Sequence, residues 1–174
     1  HMRASQLSHV TADNIARVRD RIDEVDINDA FQGAAQVGGQ IEAFKNGRIV
    51  VSLLEDNAAT TGNLTDNKIL WQRCKGEKTT PTNLGAEGDV LNAGMGLPGR
   101  PATVATKDNS IVFVEVYYKY TPIITWAKNV IGESKDIRYS SSYTIRDRAN
   151  NTMQNAQSLS GTNRATCNYY NSTV

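Results

Sequence analysis

The sequence is poor in the residues that carry the commonest chemistries. Its two histidines include His1, which with Met2 reads as the scar of an expression vector, so His9 is the one imidazole to consider. No serine or carboxylate stands at a telling spacing from it, and no G-x-S-x-G elbow occurs, so a histidine-driven nucleophile has nothing to build on. Two cysteines are too few for a cysteine-ligated zinc site, and no Cys-x-x-Cys spacing is present. Long apolar runs are also missing. Stretches such as Ile49 to Val51 and Ile111 to Val114 fall far short of the roughly 20 residues that cross a bilayer. Charge of one sign is lacking too: 19 basic residues against 18 acidic ones leave a net +1, with no electrostatic footprint for nucleic acid.

What is present is ordinary globular material. A chain of 174 residues with 39% hydrophobic residues and 13 glycines suits one domain with a real core, read here as soluble. With the scar at 1–2 set aside, the chain enters at Arg3, and the expectation is that an upstream piece has been trimmed, a signal peptide, a membrane anchor or a domain. A head domain over 3–148 and a polar tail over 149–174 follow from the composition shift after Arg148.

Cys74 and Cys167 leave two readings, a long-range disulfide or two separate buried thiols. Cys167 lies in a polar stretch from Asn163 to Val174 with little apolar content to bury a free thiol, which favours the disulfide and an oxidising compartment. The closed loop of about 90 residues is worth on the order of 4 kcal/mol in the chain-entropy model.

Leu7, Val10, Ile15, Val18, Ile22 and Val25 recur at helical spacing and predict one amphipathic helix from Leu7 to Val25 with a single buried stripe. Asp26, Asn28 and Asp29 offer caps for a second helix over Asp29 to Phe44, weakened by Gly33, Gly38 and Gly39 unless these pack closely on a neighbour. After Gly47 the period becomes two. Strands are predicted over Arg48–Glu55, Asn67–Arg73 (Ile69 and Trp71 sharing a face), Ser110–Tyr120 and Asp136–Arg146. Pro122 to Ile131 reads as a short helix or a wide connection. The long Gly/Pro-rich stretch 75–109 reads as functional or flexible rather than core. Helices followed by four mainly antiparallel strands make an α+β fold, with one sheet face covered and the other partly wet.

The motifs are weak. Gly94-Met95-Gly96-Leu97-Pro98-Gly99 has dinucleotide-loop spacing, but no strand precedes it and Pro98 and Pro101 oppose a helix after it. The oxygen-rich stretch 56–67 lacks the calcium-loop order. Glu55, Asp56, Asp66, Asp89 and Glu115 include no favoured acid–base pair. Glu115, a charge inside the strongest strand, is expected to face solvent or pair with a lysine or arginine. No metal, cofactor or catalytic residue is assigned.

Four stretches together carry a resemblance: Gly47-Arg48-Ile49-Val50-Val51-Ser52, Ile69-Leu70-Trp71-Gln72-Arg73-Cys74-Lys75-Gly76, Phe113-Val114-Glu115-Val116-Tyr117-Tyr118-Lys119-Tyr120-Thr121-Pro122, and Ser141-Ser142-Tyr143-Thr144-Ile145-Arg146-Asp147-Arg148. They resemble the TadE-like minor pilins, or pseudopilins, of bacterial tight-adherence (Flp) pili, a branch of the type IV pilus systems used in cell adhesion. The resemblance implies a non-enzymatic, pilin-like head on the periplasmic face of the inner membrane. It also implies a membrane helix ahead of Arg3, and, as partners, other minor pilins and the pilus assembly platform. No hydrophobic segment or prepilin-peptidase site lies within these residues, and the tail after Arg148 is long for the family. Trp71, Tyr118, Tyr120 and Pro122 are the expected structural anchors, in the core or at a sheet edge. The alternative is a periplasmic ligand- or partner-binding module using loop 75–109; an enzyme, most plausibly a hydrolase, ranks third.

Overall fold

Ala4, Leu7, Ser8, Thr11, Ala12 and Ile15 recur every three or four residues, and in the computed structural model they are the buried face of helix α1, Met2–Ala16. The structure describes residues 2–57, 66–79, 85–92, 94–96, 102–107, 109–122, 134–145, 148 and 150–173. The single helix expected from Leu7 to Val25 is in fact interrupted. Arg148 donates from Nε to the Val18 carbonyl at 2.9 Å and from Nη2 to the Ile15 carbonyl at 2.7 Å, satisfying the end of α1 with a cation where the helix dipole favours one.

A three-residue strand β1, Arg21–Asp23, follows, and then helix α2, Glu24–Gly38. Asp23, rather than the acidic and amide residues after it, caps α2: its Oδ1 accepts from the Val25 amide at 3.1 Å, and Asp26 Oδ2 accepts from the Asp23 amide at 2.8 Å. Leu7 and Ile15 are therefore buried on α1, Ile22 on β1, while Val10, Val18 and Val25 are half-buried. Leu7, Ile15 and Ile22 serve one core from a helix and a strand, with Val18 packed against it, instead of forming one stripe. Of the three glycines, only Gly38 is explained by close packing, since a Cβ there would sit 2.5 Å from that of Ala43.

The sheet comprises β2 (Gly47–Asp56), β3 (Asn67–Lys75), β4 (Val90–Leu91), β5 (Ile111–Tyr120) and β6 (Lys135–Thr144). Their order is β4-β3-β2-β5-β6, antiparallel throughout. The fold class is α+β. The four expected strands are present, and the two-residue β4 adds a fifth at the edge. A last strand β7, Asn150–Gln154, pairs in parallel with β1.

One face of the sheet carries Ile49, Val51, Leu53, Trp71, Val112, Val114 and Val116 against the helices, with α1 lying over β5 and β6 and α2 packed along α1. The register shifts between Leu53, which faces Trp71, and Leu54, which faces Ile69. The extra residue, Leu70, makes a β-bulge. It corrects the expectation that Ile69 and Trp71 share a face: Trp71 joins the helix-side core, whereas Ile69 packs on the far side with Leu54, Met95, Ala105 and Phe113.

That far face is covered over β2, β3 and β5, while along β6 Asp136, Ser142 and Thr144 stay exposed, so the partly wet face expected from the alternation is confined to that edge. Described parts of stretch 75–109 lie flat on it. Asn67, fully buried, donates from Nδ2 to the Ala105 carbonyl at 2.9 Å and accepts from the Ala105 amide at 2.8 Å, replacing a strand's ladder with one side chain. Gln72 Nε2 reaches Ser52 Oγ at 2.9 Å and the Gly85 carbonyl at 3.2 Å. The glycine-rich motif contributes Met95, buried and bridged to Thr103; its remainder at 97–99, like the connection 123–131, lies outside the described residues.

Candidate functional site

A broad concavity lies at the amino end of α1. It is an open cleft of about 710 Å³ between Met2, Arg3 and Gln6, the turn after α2, and the end of β5 at Tyr118 and Tyr120. Alternation along β5 delivers the two tyrosines to the same side. Tyr118 is half-buried and donates from its hydroxyl to the Ile41 carbonyl at 3.0 Å. Burial, then the nearby Glu42 carboxylate and Tyr120, push its pKa up, so the phenol keeps its proton and acts as a donor. Glu42 sits in the left-handed region at φ 47 and pairs with Lys45 at 3.2 Å, while Asn46 Nδ2 reaches its Oε2 at 3.4 Å.

Met2 is 75% exposed and Tyr120 36% exposed at the rim. With Met2 set aside as part of the vector scar, aromatic faces and amides around an open cleft favour contact with another surface. Of the other expected anchors, Pro122 is buried just past the cleft. Trp71 lies deep in the core on a different strand, where Nε1 donates to the Asn151 carbonyl at 2.9 Å and ties β3 to the β7 segment.

The tail is held by a second constellation. Cys74 and Cys167 form a disulfide, and no free cysteine is present among the described residues. Beside it, Arg48 is 2% exposed and donates to three carbonyls: Cys167 at 2.7 Å, Gly76 at 2.9 Å and Tyr169 at 3.1 Å. The Tyr170 ring stacks 4.0 Å from its guanidinium carbon. Burial lowers the Arg48 pKa, partly offset by Tyr170, yet an arginine stays charged across the working range. Gly76, at φ +120, turns β3 into this clasp, and its amide donates to the Asn171 carbonyl at 2.9 Å.

A third cluster joins α2 to β3. Arg73 donates bidentately to the buried Glu24 at 2.6 and 2.8 Å and reaches Glu87 at 2.8 Å, while Arg164 adds a contact to Glu24 at 3.0 Å. Desolvation alone would lower the Arg73 pKa, but hydrogen bonds and charge from Glu24 and Glu87 outweigh it and raise it. This is a structural ion-pair network.

Glu115 is fully buried on the far face, where its Oε1 accepts from the Tyr117 hydroxyl at 2.7 Å and pairs with Arg138. Of the two fates expected for it, pairing is the one realised. Asp66 is buried, while Asp89 is exposed and accepts from the Ala86 amide at 2.8 Å. His9 is exposed, edge-on to Tyr143. Among the described residues, no three of His, Cys, Asp and Glu gather as metal ligands, and no helix is long and apolar enough to cross a membrane.

Sequence reasoning missed Arg48 and Lys75, both buried cations in strands. For Arg48 the one signal was its position just ahead of the apolar run Ile49 to Val51; Lys75, beside Gln72, Arg73 and Glu77, carried none. No family model, curated protein or solved structure matches the chain.

Proposed function

We propose that the chain is the head domain of a minor pilin, or pseudopilin, supporting initiation and assembly of a tight-adherence pilus without chemistry of its own. The observation that carries the reading is the placement of α1. Its buried stripe lies on β5 and β6 of an antiparallel sheet, and its amino end stands at an open cleft beside Tyr118 and Tyr120. In this reading α1 continues from a membrane helix in the whole protein, as in the family the sequence resembles. The head then stands on the periplasmic face of the inner membrane, and the cleft receives a neighbouring minor pilin or the assembly platform. A helix packed on one sheet face leaves its start free to join a bundle of other such helices.

Deleting the gene is expected to reduce surface pili counted by electron microscopy, with the major pilin still made and processed. Normal piliation, with no related gene to compensate, overturns the assembly role.

A further inference from the structure

Lys75 closes β3 on the helix side of the sheet, where three separate pieces of chain meet it. Asn28 and Gln32 come from α2, Thr162 from the short turn at Gly161–Arg164, and Asn171 and Thr173 from the tail. Together they enclose a pocket of about 310 Å³. At liquid density, near 30 Å³ per water, that is room for roughly ten waters, the bulk of a single sugar.

Lys75 is 7% exposed, and no hydrogen bond or ion pair engages its ammonium among the described residues. A buried cation without a counter-charge is rare, because desolvation costs several kcal/mol unless a partner offsets it. Its described neighbours do not supply one. Arg73, two residues back on the same face, already takes Glu24 and Glu87. The pocket wall holds amides, hydroxyls and Phe31, and no carboxylate among the described residues. Asn28 Nδ2 is fixed on the Asn163 carbonyl at 2.9 Å, which sets the orientation of that amide. Burial depresses the Lys75 pKa.

We propose that the Lys75 pocket is a binding site for a small, hydroxyl-bearing carboxylate, a sugar acid in class, whose carboxylate takes the lysine and whose hydroxyls take the amide and hydroxyl wall. A single ammonium, with no arginine fork directed into the space, balances one negative charge rather than a phosphate dianion. The hydroxyl-rich wall offers both donors and acceptors, as a polyol requires. The site is independent of the pilus reading.

The test is a titration of the intact, disulfide-bonded chain with sodium glucuronate, followed by amide resonances in ¹H–¹⁵N spectra. Acetate, glucose and inorganic phosphate serve as comparison probes. The expected result is a saturable shift at Asn28, Gln32, Thr162, Asn171 and Thr173, with glucuronate binding more tightly than acetate or glucose. Lys75→Met, which keeps the side-chain length and removes the charge, is expected to weaken glucuronate by roughly tenfold or more, the loss of one charge-assisted hydrogen bond. Folding of the variant is read from its unperturbed spectrum elsewhere. The proposal is overturned by no saturable shift with glucuronate, by equal affinity in Lys75→Met, by shifts that map away from the pocket, or by phosphate binding more tightly than the carboxylates.

Discussion

Replacing Arg48 by methionine tests whether the tail is part of the fold or an appendage held by its disulfide. Methionine keeps most of the aliphatic volume and removes the guanidinium that meets Cys167, Gly76 and Tyr169. Three hydrogen bonds to a charged donor are worth roughly 1.5–3 kcal/mol each in isolation. Removing the ion also removes a desolvation cost of several kcal/mol. The Tyr169 and Cys167 carbonyls belong to a partly exposed segment and can turn to water, whereas Gly76 is buried and its carbonyl is left unsatisfied. The net expectation is a loss of about 3 kcal/mol.

For a domain of this size, with a urea slope of roughly 2–3 kcal/mol/M, the midpoint should fall by about 1–1.5 M. Because arginine does not titrate in the working range, the shift should be the same at about pH 5 and pH 8. The Gly76 amide, bonded to Asn171, should exchange more than about tenfold faster in the variant even with the disulfide intact. A midpoint change under about 0.3 M, with Gly76 still protected, would refute the clasp and leave the disulfide as the sole tether.

Cys74→Ala with Cys167→Ala opens a loop whose ends are 93 residues apart, and the chain-entropy model puts the loss at about 4–5 kcal/mol, read by urea unfolding. Thiol titration of the unreduced, denatured wild type should find no free thiol, and two would contradict the bond. Arg73→Met should cost about 3–5 kcal/mol, because Glu24 stays buried with Arg164 alone, whereas Arg164→Met, whose side chain is 40% exposed, should cost under about 1 kcal/mol. Equal losses in thermal unfolding would mean that the network is not centred on Arg73.

Lys75 binds fewer protons folded than unfolded in the interval between its depressed pKa and the ordinary 10.5, so its part of the stability rises with pH there. Below that interval the cost of burying the charge is present in full. Lys75→Met should therefore be more stable than wild type at neutral pH, with the gap closing as pH approaches 10.5; a gap independent of pH in denaturant titrations would argue against a charged, buried lysine.

The local periodicities carried far. Alternation placed β2, β3, β5 and β6 to within a residue or two, and their α+β arrangement with the helices followed from element order. The polarity around Cys167 favoured the disulfide that the structure contains. These signals are local, set by the two-residue repeat of a strand and the side-chain burial it demands.

Contacts between distant residues decided the rest. The helix expected to run on to Val25 ends at Ala16, where its last carbonyls meet an arginine 130 residues later in the chain and where β7 offers β1 a partner. Apolar spacing continues across that break, because Ile22 on β1 serves the same core as Leu7 and Ile15 on α1. The bulge at Leu70 inverted the face of Ile69, since one extra residue reverses every side chain beyond it. The burial of Arg48, Arg73 and Lys75 was not legible in a one-dimensional pattern, and for Glu115 the pattern left solvent and a cationic partner both open. Each is buried because the tail, α2 or a neighbouring strand docks over it, and a charge's environment depends on what folds against it from elsewhere in the chain.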